Sequence, residues 1–270
     1  MIILLSLPAL VIAIFIAGKL FLAVQFKKEV RQLFSLSKNS SAKNFQHSQL
    51  KDLPEPVKRY FKHILKEGQA YISYARMKHR GQFRTGEKKE WMNIKGEQYA
   101  TTETPGFIWK GSTSLFSARD MYIANKGKLI VSIFSLFRVA KAERERYNQG
   151  ELLRWLGESV LYPTNLLPNY RLKWLPIDQH SAKLIFNYQR LSLYFIVTFN
   201  DVGEITQMET KRYMDGARLE TWIISATNYQ EMNNILIPVN FEVTWRLPEG
   251  DVCYAKLNMT EIEYNKPAKF

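Results

Sequence analysis

The sequence predicts a mainly β protein of the α+β class, with an N-terminal transmembrane helix followed by one large, curved antiparallel sheet and two covering helices. Three observations carry this. Several stretches alternate apolar and polar residues with a period of two, as in Leu191, Leu193, Phe195, Val197 and Phe199, or Val239, Phe241, Val243, Trp245 and Leu247; this is the pattern of antiparallel strands with one face on a core. Turn-forming residues separate such runs at Asn125-Lys126-Gly127, Asn200-Asp201-Val202-Gly203, Asn233-Asn234 and Pro248-Glu249-Gly250-Asp251. Beyond the N-terminus, a helical period is confined to two short stretches.

Taken in chain order, residues 1–26 carry a single charge, Lys19. As a helix rising about 1.5 Å per residue, Ile2 to Phe26 would span roughly 37 Å, enough for a hydrocarbon core of about 30 Å. No Lys or Arg precedes the apolar run and Ile16-Ala17-Gly18 is a poor cleavage site, so residues 1–26 are expected to be a retained transmembrane anchor and the protein to be single-pass, with the lipid bilayer as a partner. Lys27, Lys28 and Arg31 then favour a cytoplasmic placement of the remainder of the chain. Residues 27–50 are expected to be a basic juxtamembrane linker, since Ser37 to Leu50 shows no apolar period.

Residues 51–270 are expected to form a single β-rich domain. It opens with a helix over 54–67: Pro54 and Pro56 suit a first turn, Val57, Tyr60, Phe61, Ile64 and Leu65 share one face, and Gly68 stops it. Strands are expected near 71–84, 89–100, 106–112, 118–124, 128–138, 171–177, 181–188, 191–199, 204–212, 219–229, 236–247 and 252–264. A second helix over 148–162 starts at an Asn148 N-cap, carries Leu152, Trp155, Leu156 and Val160 as an apolar stripe, and ends at Pro163. Its place in mid-chain lets it plug the concave face of the sheet.

Composition removes several function classes. The net charge of +13 is concentrated in residues 27–98 (+10), leaving +2 over residues 99–270; a nucleic-acid binder would spread its basic stripe over the folded face that grips phosphate. The lone Cys253 closes no disulfide, and His47, His63, His79 and His180 show no metal-ligand spacing. Nucleophile elbows, Walker loops, dinucleotide fingerprints and zinc-protease motifs are lacking. No cofactor, metal or catalytic residue is therefore assigned. On the 148–162 helix, Glu151, Arg154 and Glu158 follow at spacings of three and four, so Arg154 could bridge both carboxylates and hold them ionised, as a structural or ligand-orienting cluster rather than a tuned acid. Trp109 and Trp155 join Glu151, Arg154 and Glu158 as the expected ligand-binding residues, with core packing the commoner role for any Trp.

Several stretches together, Leu53-Pro54-Glu55-Pro56-Val57-Lys58-Arg59-Tyr60, Pro105-Gly106-Phe107-Ile108-Trp109, Gly150-Glu151-Leu152-Leu153-Arg154-Trp155-Leu156 running on to Tyr162-Pro163-Thr164, and Ile177-Asp178 with Ser181-Ala182, resemble an uncharacterised bacterial family of membrane-anchored proteins with a domain of unknown function. The strand order, with Phe199-Asn200-Asp201-Val202-Gly203-Glu204-Ile205 followed by Asn234-Ile235-Leu236-Ile237-Pro238, also resembles the half-barrel of LolA-type periplasmic lipoprotein carriers. That second resemblance implies an apolar cavity for acyl chains and a place outside the cytoplasm, against the basic flank. The expected function is a membrane-tethered, non-catalytic binding protein for a lipid or other apolar ligand held in the concave face of the sheet. The alternatives are an envelope or lipid-modifying enzyme using the Glu151, Arg154, Glu158 cluster, and an envelope scaffold.

Overall fold

The computed structural model describes residues 2–37, 41–114, 116–133, 137–142, 145–214 and 217–270, with side chains except those of 2–11, 137–142 and 145. Among these residues thirteen antiparallel strands form one sheet. In the first half of the chain they are β1 (Tyr74–Phe83), β2 (Met92–Thr101), β3 (Gly106–Ser112), β4 (Phe116–Ile123), β5 (Lys126–Ile133) and β6 (Phe137–Ala142). In the second half they are β7 (Leu172–Pro176), β8 (Ser181–Tyr188), β9 (Leu191–Phe199), β10 (Ile205–Tyr213), β11 (Leu219–Met232), β12 (Ile235–Leu247) and β13 (Gly250–Tyr264). The single strand expected over 128–138 is in fact β5 and β6, with 134–136 outside the described residues.

The spatial order β6-β5-β4-β3-β2-β1-β13-β12-β11-β10-β9-β8-β7 divides the sheet into two meandering arms that meet at one seam, the pairing of β1 with β13. Strands β6 and β7, consecutive in the chain, thereby occupy opposite edges. The chain between them includes helix α3 (Glu145–Gly157) and two 3₁₀ turns, Glu158–Leu161 and Pro163–Leu166. Helix α3 packs on β3, β4 and β5 of one arm and on β9 and β10 of the other. A helix about 10–12 Å across reaches both arms only because the sheet curves round it.

Strand periodicity explains which face is which. In β9, Leu193, Phe195, Val197 and Phe199 are buried while Ser192, Tyr194, Ile196 and Thr198 are not, so the expected register holds. The β11–β12 hairpin turns on Asn233 and Asn234, both with positive φ (49° and 64°), as a two-residue primed turn requires. The main core lies on the concave side, where helix α2 (Glu55–Ile64) buries Val57, Tyr60, Phe61 and Ile64 and contacts β8 and β12. Helix α3 begins before the expected cap: Asn148 lies inside it, and its side-chain oxygen accepts the N–H of Gly127 at 2.7 Å.

The N-terminal expectation is corrected. Among the described residues no helix is long and apolar enough to cross a membrane, which overturns the single-pass membrane placement. Helix α1 (Ile2–Ser35) does not stop at Phe26 but continues through Lys27, Lys28, Glu29 and Arg31. Phe26, Val30 and Leu33, spaced four and three apart on one helical face, pack on Tyr99, Ile108, Met121, Ile123 and Ile130 of the convex side of the sheet. The stretch read as a linker over 27–50 is likewise tied in. Phe45 and Leu50 are buried in the main core, and the Phe45 N–H donates to the Gln69 carbonyl at 2.8 Å.

Candidate functional site

Between α3 and the concave face lies a cleft of about 1210 Å³. Its wall is set by strand parity: inward positions supply Met77 from β1, Phe116 from β4, Val131 from β5, Ile224 from β11, Phe241 from β12 and Val252 from β13. Against this apolar wall α3 presents a polar cluster.

Arg154 is its centre. The guanidinium donates through Nη1 to Asp120 Oδ2 at 2.6 Å, through Nε to Glu158 Oε1 at 2.8 Å and through Nη2 to Gln98 Oε1 at 3.2 Å. Gln98 closes the ring by donating to Glu158 Oε2 at 2.6 Å. The rings of Phe107 and Trp109 lie under the guanidinium, their centroids 4.9 and 5.1 Å from its carbon, in cation–π range. Glu151 departs from expectation: its Oε1 accepts from Arg212 Nη2 at 2.9 Å, its Oε2 has no partner, and Arg154 is spent on Asp120 and Glu158. Burial first, and the charge of Asp120 second, raise the Glu151 pKa well above the usual carboxylate range. Glu151 is thereby biased towards its protonated form. The expectation that Arg154 bridges both glutamates is thus corrected: it reaches Glu158 but not Glu151. Tyr147 donates its hydroxyl to Asp120 Oδ1 at 3.3 Å, and Arg212 stacks 4.5 Å over Trp222.

A second unit sits beside the cluster. Trp109 donates its indole N–H to His79 Nε2 at 2.7 Å, with the two rings nearly parallel at 4°. Glycine makes room for this: a Cβ on Gly96 would lie 2.1 Å from His79 Nε2, and one on Gly111 would lie 2.2 Å from the Trp109 ring. Burial, then the Arg154 charge, push the His79 pKa down to about 4. The ring is thus neutral, with its proton on Nδ1, an atom that is buried without a partner.

This has a measurable consequence. Because the folded pKa is depressed, the stability that neutral His79 contributes is complete above the ordinary value of 6.5 and is lost as pH falls towards about 4. At about 1.4 kcal/mol per pKa unit that is up to roughly 3 kcal/mol. Denaturant unfolding at pH 7 and pH 4 is expected to show the stability gap between the wild type and His79→Gln narrowing on acidification. A gap independent of pH would contradict the assignment.

Four of the five expected site residues, Trp109, Glu151, Arg154 and Glu158, come together on the cleft wall. Trp155 does not: it is buried in the main core, donating to the Thr101 carbonyl at 2.8 Å and packing on Phe186. Asp120, Gln98, Arg212, Tyr147 and His79 were missed. Their signal was parity, since Asp120 stands two positions from inward Ala118 and from Tyr122 and so shares their face, and His79 stands two positions after inward Met77. Among the described residues no three of His, Cys, Asp and Glu are placed to hold a metal ion.

The cluster, the helix that carries it and the strands beneath it fall within residues 43–257, which match the family described as a family of unknown function, DUF6544. The chain belongs to the DUF6544 family. No curated protein matches it. Among solved structures, this DUF6544 chain is similar to a LolA superfamily protein from Nitrosomonas europaea, at 10% identity over 78% of this chain and 92% of that one with a TM-score of 0.44. It is also similar to a DUF1329 family protein from Desulfovibrio piger, at 10% identity over 72% and 86% with a TM-score of 0.36. Likenesses of that size bear on neither ligand nor role.

Proposed function

We propose that the chain is a binding protein that holds a lipid or other apolar ligand in the cleft between α3 and the concave face of the sheet. The observation that carries this reading is the cleft itself: about 1210 Å³, against about 300–1,000 Å³ for ordinary small-molecule sites, with a wall of apolar and aromatic side chains. Each ligand methylene buried there contributes about 0.8 kcal/mol, so a long chain gains more than a compact one. The polar groups at α3 are mostly satisfied by one another, which suits orienting a ligand rather than attacking it. Native mass spectrometry of the full chain is expected to show a co-purifying lipid, and a fluorescent fatty acid is expected to enter the emptied cleft. An empty protein that takes up no such probe would overturn the reading.

One observation favours a second reading, in which the cleft belongs to a lipid-modifying enzyme. Glu151, whose burial favours its protonated form, shares one wall of the cleft with a second carboxyl group, Asp120, and two carboxyl groups are what acid and base catalysis needs. Turnover of a lipid ester that Glu151→Gln abolishes while leaving lipid uptake intact would establish it.

A further inference from the structure

On the opposite side of the sheet, β3, β4 and β5 carry a patch unlike the rest of the surface that α1 covers. Ser112 pairs with Ser117 and Ser117 with Ser132, so three serines stand in one row across three strands. Adjacent strands are about 4.8 Å apart, and the row therefore extends about 10 Å. One step along the strands, Lys110 pairs with Arg119, two cations placed directly opposite each other, an arrangement that is destabilising unless an anion compensates it. Helix α1 bridges this patch with Phe15, Lys19, Leu22 and Ala23 and leaves a crevice of about 440 Å³ beneath.

The available acids do not neutralise the crevice. Glu29 is paired with Arg119 at 2.6 Å. Glu97, the other cross-strand neighbour of Lys110, accepts the Tyr99 hydroxyl at 2.8 Å and lies 3.7 Å from Lys269. Lys110 itself is 5.4 Å over the Phe26 ring. Among the described residues neither Lys19 nor Lys110 has a carboxylate within ion-pair distance, and the hydroxyls of Ser112, Ser117 and Ser132 have no hydrogen-bond partner. Ser132 is nonetheless buried, at 6% exposure.

We propose that this crevice binds a phosphate group, free or as the ester head of a phospholipid, with Lys19 and Lys110 supplying charge and the serine row supplying hydroxyl donors. A phosphate has enough oxygens to accept from several of these donors at once, and charge-assisted bonds to its oxygens are the strong ones. A row of about 10 Å is longer than one phosphate, so the crevice has room for an ester substituent, with Phe15 and Leu22 above it. This site is independent of the concave cleft and stands whether or not that cleft holds a lipid.

Isothermal titration of the full chain with inorganic phosphate, glycerol 3-phosphate and dihexanoyl phosphatidate tests it. Phosphate and glycerol phosphate are expected to bind, each at least tenfold more weakly to Lys110→Gln and to Lys19→Gln, the latter an exposed position whose change leaves the fold intact. Phosphatidate binding more than tenfold tighter than glycerol phosphate identifies a lipid head as the source; equal affinities identify the free ester. Absence of binding by all three probes, or affinities unchanged in both variants, overturns the proposal.

Discussion

Replacing Arg154 with methionine is expected to destabilise the protein by about 3–5 kcal/mol, the range for removing one partner of a buried charge cluster. Methionine keeps much of the length and apolar volume of the side chain, so the loss is mainly electrostatic. Asp120 and Glu158, with side chains only 11% and 22% exposed, would be left with no cation between them, and Gln98 would lose one of its two partners in the ring. Denaturant unfolding reads the loss directly. The decisive comparison is the triple variant Arg154→Met, Asp120→Asn, Glu158→Gln, in which the stranded charges are gone. It is expected to recover most of the stability, because an uncharged amide costs far less to bury than a lone carboxylate. A single variant that loses less than about 1 kcal/mol, the worth of an exposed ion pair, would show that the cluster is solvated rather than built into the wall.

Gly81→Val is expected to do more damage, preventing the sheet from assembling and leaving the protein insoluble or more than about 4–5 kcal/mol less stable. Gly81 of β1 faces Leu257 of β13 at the seam. A Cβ there would lie 2.0 Å from the Lys256 carbonyl oxygen and 2.9 Å from the Leu257 Cα. Both obstacles are backbone, so no side-chain rotation relieves them and the two strands must part. Gly86 is the control. A Cβ at that position meets only the Lys89 side chain, at 3.8 Å, and Gly86→Val is expected to stay within about 0.5 kcal/mol of wild type. Comparable solubility and melting temperature for the two variants would contradict the account.

Legibility in the sequence followed the range of the interaction involved. Period-two alternation announced β9 and β12 because it depends only on the strand and the core beneath it, and the Asn233-Asn234 hairpin was readable because positive φ at two adjacent residues is a local demand. The Arg154 to Glu158 contact was readable as neighbours one helical turn apart. The third partner was not, since Asp120 lies 34 positions upstream, on another strand, and no spacing rule reaches it. That one distant carboxylate drew Arg154 away from Glu151, which pairs with Arg212 instead. Helix α1 was misjudged for a related reason: Lys27, Lys28 and Arg31 read as a stop when the apolar run is traced alone. Phe26, Val30 and Leu33 mark a continuing face only once the convex side of the sheet is there to receive them.

The strand order also has a consequence for how the chain folds. Within each arm every strand pairs with its immediate neighbour in sequence, so both arms can grow from local hairpins with little loop-closure entropy. The seam is different, because Ala75 must find Tyr264 and β13 leaves the ribosome last of the thirteen. Until then β1 presents an unpaired edge, and the half-built sheet is at its most vulnerable to pairing with another chain. The slow, exposed step in making this protein is therefore expected to be the joining of the two arms at the middle of the sheet, after each has formed.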